Sequence, residues 1–306
     1  MKHNIKITLI LLAMFIATQF IGLYVVDYYS PVKIVDGEMQ NVSAPALPYG
    51  MQTPEVQEEM DFYKLFPSII IAFILAISLL FLLTRFKAEF ILKLWFFAVV
   101  TIALGISFNS FLPIVKYASI IALIIALPLA FIKIYRINFL VHNSTELFIY
   151  PGIAAVFVPI LNLWTIIALL IIISIYDIWA VWHSGIMQKM AKYQIHNLKI
   201  FSGFFIPYVS NKVKLRLQRI KKHQLRNKRI RVNLAILGGG DVVFPIITAG
   251  VMLNTFGTTS ALFVIFGAVL GLAYLFFLAE KKKFYPAMPF ISAGIFAGMI
   301  LSYLVL

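Results

Sequence analysis

The 306-residue chain contains no cysteine, so disulfide bonds, iron–sulfur clusters and thiol catalysis are excluded. Charged residues are also few, at 12% of the sequence against 62% hydrophobic residues. So little polar surface cannot cover the apolar side chains of one water-soluble core. The composition therefore predicts a multi-pass protein of the cell membrane.

Histidine is scarce as well, and its five positions are predicted to lie outside the apolar runs or at their edges. These are His3, His142, His183, His196 and His223. An intramembrane serine protease needs a serine and a histidine together within the membrane, and the sequence has no His-Glu-x-x-His zinc motif. Ser174 is interpreted as an ordinary helix hydroxyl bonded to backbone. We expect no metal and no other cofactor.

Long apolar runs are abundant, and each is long enough to cross a hydrocarbon layer of roughly 30 Å as a helix. Strands of a membrane β-barrel would be about half as long. We therefore predict an all-α fold with nine transmembrane helices. They are placed at about residues 7–26, 66–84, 90–112, 117–132, 147–162, 164–182, 232–253, 257–279 and 287–306. The first is interpreted as a retained span, because it is too long for the core of a usual signal peptide.

Charge bias predicts the direction of these spans. Basic residues gather in alternate connecting segments, which places the N-terminus in the cytoplasm and the C-terminus outside. The chain then forms one membrane-embedded domain over residues 1–306. Six spans occupy 1–182, a basic cytoplasmic loop occupies 183–231, and three spans occupy 232–306. The first outer segment, near residues 27–65, is acidic and rich in proline, which favours a loop.

The basic loop supplies most of the net charge of +14 and contains no acidic residue. Because it lies just beside two spans, we expect it to contact anionic lipid headgroups rather than nucleic acid. Within it, residues 201–208 are apolar but too short to span and are expected at the membrane interface.

Two acidic residues are predicted to lie inside apolar runs, Asp177 in the sixth and Asp241 in the seventh. A carboxylate in hydrocarbon costs roughly 2.5 to 3.5 kcal/mol, so such residues usually face a partner or a wet cavity. The antiparallel spans place them at similar depths, roughly 9 and 15 Å from the inner edge at ~1.5 Å per residue. Gly238, Gly239 and Gly240 precede Asp241 and favour unwinding of the chain there.

Two carboxylates a few ångströms apart in a low-dielectric site share one proton and titrate as a unit. This is the working state of an aspartic protease, in which one acid activates water and the other protonates the scissile carbonyl. The same pair could instead relay protons or bind a cation in a secondary transporter, or serve only in packing. Repeated halves with two interrupted spans are common in transporters, and the sequence has one glycine-rich break and no internal repeat.

Three short motifs resemble the YD, GxGD and PAL motifs of the presenilin and signal peptide peptidase family, the compact archaeal members in particular. They are Tyr176-Asp177, Gly238-Gly239-Gly240-Asp241 and Pro286-Ala287-Met288. The resemblance implies that Asp177 and Asp241 are catalytic. It implies substrate-positioning roles for the other motif residues, which are Tyr176, Gly238, Gly239, Gly240, Pro286, Ala287 and Met288. Met288 replaces the family's leucine, a substitution of similar volume.

The resemblance also implies substrates, and the residues after Asp241 count against a neighbouring family. Prepilin-type peptidases share the GxGD aspartate but typically carry a lysine soon after it, where this chain has Val242-Val243-Phe244. The implied substrates are single-span proteins with an outer N-terminus, cut within a transmembrane helix that has locally unwound. An exposed strand edge could hold the opened segment by β-addition. Partner subunits and formation of a homo-oligomer are left open.

Overall fold

The computed structural model describes residues 5–35, 38–41, 44–54, 56, 58–136, 138–184, 193, 200–208, 233–279 and 285–305. Long helices dominate this part of the chain. They are α1 (Ile5–Tyr29), α2 (Glu59–Arg85), α3 (Glu89–Phe111), α4 (Ala118–Tyr135), α5 (Phe139–Phe157), α6 (Leu163–Trp179), α7 (Gly239–Phe256), α8 (Thr258–Leu278) and α9 (Met288–Val305). Most of the predicted basic loop lies outside the described residues, and so does its expected lipid contact.

The predicted polytopic helical fold is confirmed, with nine long helices in the described ranges. Eight of them are long and apolar enough to cross a membrane. The other is α5, whose 19 residues include His142, Asn143 and Glu146. The direction of the spans stays a prediction.

The predicted start of the fifth span is wrong. Helix α5 begins at Phe139 rather than 147, because the Asn138 side chain accepts hydrogen bonds from the amides of Leu140 and Val141 and so caps the helix. Two side chains assigned to a connecting segment, His142 and Glu146, therefore lie inside a helix and are buried. His142 lies in the first turn of α5, at the edge of that helix.

The seventh span also begins later than predicted. Residues Asn233–Gly238 form strand β4, and the helix starts at Gly239. Strand β3 (Gly203–Tyr208) lies in the segment that was expected at the interface. The two strands pair antiparallel, with Gly203 opposite Gly238. A strand pair therefore leads directly into the helix that carries Asp241.

The acidic outer segment, predicted as a loop, contains a second strand pair. Strands β1 (Val32–Val35) and β2 (Glu38–Asn41) are antiparallel neighbours. A short 3-10 turn follows at Pro48–Gly50. Both flanking helices extend into the region that was predicted as a loop, since α1 ends at Tyr29 and α2 begins at Glu59.

Helix α7 lies at the centre of the bundle and packs against α1, α5 and α8. Most of its residues are buried, whereas Ile69 is the one buried residue of the peripheral helix α2. Helices α8 and α9 pack most closely of all, because glycines face backbone across their contact. A Cβ atom on Gly267 would collide with the carbonyl oxygen of Gly294, and one on Gly271 would collide with that of Phe290. Small residues of this kind allow membrane helices to touch backbone to backbone.

Candidate active site

Asp177 lies in the last turn of α6 and is 7% exposed. Its Oδ2 accepts a hydrogen bond of 3.0 Å from the backbone amide of Met288. Met288 is the first residue of α9, and the first amides of a helix have no partner within the helix. The carboxylate therefore satisfies a helix N-terminus, whose dipole favours negative charge.

The third motif forms the start of α9. Pro286 and Met288 are buried and Ala287 is partly buried, while Pro289 occupies the first helical turn, where its missing N–H costs nothing. The contact with Asp177 comes from the Met288 backbone. Leucine at this position would supply the same amide, so replacing the family's leucine by methionine does not alter that hydrogen bond.

Ser174, one turn before Asp177, also joins α6 to α9. Its hydroxyl lies 3.0 Å from the Ser292 hydroxyl. Ser174 was predicted to bond to backbone, whereas this hydrogen bond runs between side chains of two helices. It ties the two helices together close to the carboxylate.

Asp241 lies in the first turn of α7 and is partly buried. Its carboxylate lies beside the Gly238 backbone and within electrostatic range of Asp177. A Cβ atom on Gly238 would sit 3.0 Å from the Asp241 Oδ2 atom. The structure thus brings the two aspartates and the start of α9 into one site.

The three glycines before Asp241 have different surroundings. The predicted departure from helix includes only the first glycine, because Gly238 ends β4 whereas Gly239 and Gly240 already belong to α7. A Cβ atom on Gly239 would lie 2.8 Å from the Tyr150 hydroxyl and 2.9 Å from the Ser202 hydroxyl. A Cβ atom on Gly240 would meet only Phe244, at an ordinary 3.7 Å.

This difference predicts opposite effects for two alanine substitutions. Gly239→Ala should destabilise the protein by about 1–3 kcal/mol, the usual cost of overpacking a filled site. Gly240→Ala should be neutral or stabilising by up to ~1 kcal/mol, because alanine favours the helix. Unfolding in detergent measures both, and Gly240→Ala is the matched control. Equal losses in the two variants would contradict the packing described for Gly239.

The Tyr176 side chain takes no part in the buried hydrogen bond between Asp177 and Met288. The side chain is 41% exposed, and its ring centroid lies 6.3 Å from that of Trp179 on the same helix. The residue is thus available at the margin of the site. Its substrate-positioning role stays a prediction.

A polar face on α5, which was not predicted, holds strand β3. The Asn143 Nδ2 atom donates to the Phe205 carbonyl at 3.0 Å, and the Phe205 amide donates back to Asn143 Oδ1 at 3.1 Å. The side-chain amide thus pairs with β3 as a neighbouring strand would. His142, Glu146 and Tyr150 continue this face at intervals of four residues, the spacing that marks one side of a helix.

Comparison with known proteins identifies one family and one fold. The family model for the signal-peptide peptidase and presenilin aspartyl proteases matches residues 39–306. Two crystal forms of a presenilin family intramembrane aspartate protease have the same fold. One is 18% identical with a TM-score of 0.59, covering 98% of this chain and 99% of that chain. The other is 18% identical with a TM-score of 0.60, covering 97% of each chain. No curated protein matches.

The matched range includes all three motifs and both aspartates. The fold likeness extends over nearly the whole chain, so it covers the helices that carry these motifs. Asp177 and Asp241 lie on the neighbouring helices α6 and α7, and Asp177 bonds to the start of α9. The chain therefore belongs to the signal-peptide peptidase and presenilin family of intramembrane aspartyl proteases.

Proposed function

We propose that the protein hydrolyses peptide bonds within the transmembrane segments of single-span substrates, with Asp177 and Asp241 as the catalytic pair. One observation carries the proposal. The two carboxylates come from neighbouring helices and lie within electrostatic range in a largely buried site. Two acids so placed share one proton, which is the state that aspartic proteases use.

Hydrolysis then proceeds by general acid and base catalysis. The ionised carboxylate removes a proton from water as the water oxygen bonds to the scissile carbonyl carbon, while the protonated carboxylic acid donates to the carbonyl oxygen. The tetrahedral intermediate collapses as its C–N bond breaks and the nitrogen accepts a proton. The products are a carboxylic acid and an amine, and the pair returns to its singly protonated state.

The substrate class follows from the family, whose members act on transmembrane helices. A helical peptide bond is shielded by its own hydrogen bonds, so the segment to be cut must first unwind. Strand β4 offers an edge for the opened segment. Among the described residues its strand partner is β3 alone, and the side chains of Leu234 and Ile236 are exposed. A segment added to β4 would run toward Asp241, which follows three residues after the strand.

A transition-state mimic tests the proposal directly. A peptide mimic with a hydroxyl in place of the scissile carbonyl should bind at least about 100-fold more tightly than its hydroxyl-free analogue, because the hydroxyl lies between the two acids. The measurement is cleavage of a single-span substrate by purified protein in detergent, titrated with each compound. The hydroxyl-free analogue is the matched control.

Equal inhibition by both compounds would contradict the assignment of the acid pair. Reconstituted vesicles provide the second arm. Ion-driven uptake without any proteolysis, lost when Asp177 or Asp241 is replaced, would support the transporter instead.

A further inference from the structure

Three ionisable side chains that the proposed chemistry does not use are buried together between α4 and α5. The side-chain exposures are 3% for Lys133 and 1% for Glu146, and 9% for His142. Buried charges are costly unless they are paired and hydrogen-bonded. The protein therefore needs compensating contacts around these three side chains, and a cluster of this cost is a candidate for a specific role.

The three side chains and Gly203 form a closed ring of hydrogen bonds, the Gly203 ring. Lys133 Nζ lies 2.6 Å from Glu146 Oε1 and 3.2 Å from His142 Nδ1. Since Nδ1 accepts from the ammonium group, the ring proton of His142 lies on Nε2. That Nε2 donates to the Gly203 carbonyl at 2.8 Å. The Gly203 amide donates to Glu146 Oε1 at 3.3 Å and closes the ring.

Gly203 is held at both of its backbone polar groups, and its own conformation requires glycine. Its φ of +143° lies in the region that L side chains rarely adopt. A Cβ atom here would also collide with the Leu237 carbonyl oxygen of β4. The ring thus fixes a residue that packs directly on the neighbouring strand.

The path from Gly203 to Asp241 is short. Gly203 stands opposite Gly238 in the strand pair. The carbonyl of the preceding residue, Ser202, accepts a hydrogen bond of 3.3 Å from the Gly239 amide. Asp241 follows two residues after Gly239, in the first turn of the helix that Gly239 begins. The backbone that carries Asp241 is therefore attached to the ring through two consecutive residues.

A simple ion pair between α4 and α5 would need only Lys133 and Glu146. Buried pairs of that kind can often be replaced by apolar residues without loss of stability. The ring uses a third side chain, and it directs one acceptor and one donor at a single glycine. This arrangement is suited to holding a strand in register rather than to joining two helices.

We propose that Lys133, His142 and Glu146 are positioning residues, which hold Gly203 and through it the strand pair and the Asp241 carboxylate in the geometry for hydrolysis. The inference rests on the proposed function for its effect on cleavage. Its structural part, the restraint of Gly203, can be measured without any activity.

Two double variants isolate the hydrogen bond to Gly203. Lys133→Met with Glu146→Gln and Lys133→Met with Glu146→Met both remove the charges and keep the volume, but only glutamine can accept from the Gly203 amide. We expect kcat to be about tenfold lower in the second variant, the change that one hydrogen bond of ordinary strength produces. KM should be similar in the two variants. The Gly203 and Gly239 amides should exchange hydrogen faster in the second variant.

A second matched pair keeps the ion pair intact and covers a failure of the double variants to fold. His142→Gln retains an N–H donor near the Gly203 carbonyl, whereas His142→Leu does not, so cleavage and amide protection should be higher in the glutamine variant. Equal kcat and equal exchange within both pairs would overturn the inference. If the unaltered protein cuts no substrate, the proposed function fails, and the exchange rates alone decide whether the ring holds Gly203.

Discussion

Replacing Asp177 or Asp241 with asparagine is expected to lower kcat for cleavage by about a thousandfold, within the range that general acid–base catalysis contributes. Asparagine has nearly the same volume as aspartate but can neither take up nor release the shared proton. Its side-chain oxygen can still accept from the Met288 amide, which bonds to Asp177 at 3.0 Å. The contact between α6 and α9 should therefore survive the substitution.

The measurement is turnover of a single-span substrate by purified protein, with thermal unfolding in the same detergent as the check on the fold. Glu59→Gln serves as the control, because Glu59 is an exposed carboxylate at the start of α2. Both aspartate variants should unfold near the temperature of the unaltered protein. Retention of more than about a tenth of the activity by either variant would remove that residue from the catalytic pair, because the loss would fall below the contribution of one acid or base.

Removing Lys133 alone should destabilise the protein by about 3–5 kcal/mol, because Lys133→Met leaves Glu146 as a buried charge without its partner. Removing both charges, with Lys133→Met and Glu146→Met together, should cost less than the sum of the two single substitutions. The measurement is a double-mutant cycle on the free energy of unfolding in detergent micelles.

Lys64→Met provides the comparison at the surface. Lys64 pairs with Asp61 at 3.0 Å, but its side chain is 69% exposed, and pairs of that kind contribute about 0–1 kcal/mol. A similar loss for Lys133→Met and Lys64→Met would mean that Glu146 finds another partner or remains hydrated when Lys133 is absent.

The sequence could reveal Asp177 and Asp241 because an acidic residue inside an apolar run stands out against its neighbours. Glu146 could not be found in this way. It follows a polar stretch from His142 to Thr145, so the start of the span was placed just after it. Hydropathy treats each polar residue as a cost and takes no account of a partner such as Lys133 on another helix. The recurrence of His142, Glu146 and Tyr150 every four residues was the available signal.

The strand pair could be predicted only in part. The glycines before Asp241 indicated a departure from helix, but the pairing of Gly203 with Gly238 joins residues far apart in sequence. Local preference carries no information on which segments will pair over such a distance. The segment 201–208 was therefore expected at the membrane interface, since it is apolar and short.

The glycine contacts between α8 and α9 have a mechanical consequence. Where these glycines place backbone against backbone, no side chain lies between the helices that could deform, so α8 and α9 are expected to move as one unit. The Met288 amide, which bonds to Asp177, lies at the N-terminus of α9 in this helix pair. A tilt of α8 within the lipid would consequently be transmitted to Asp177, although the described hydrogen bond of the carboxylate is to α9 and not to α8.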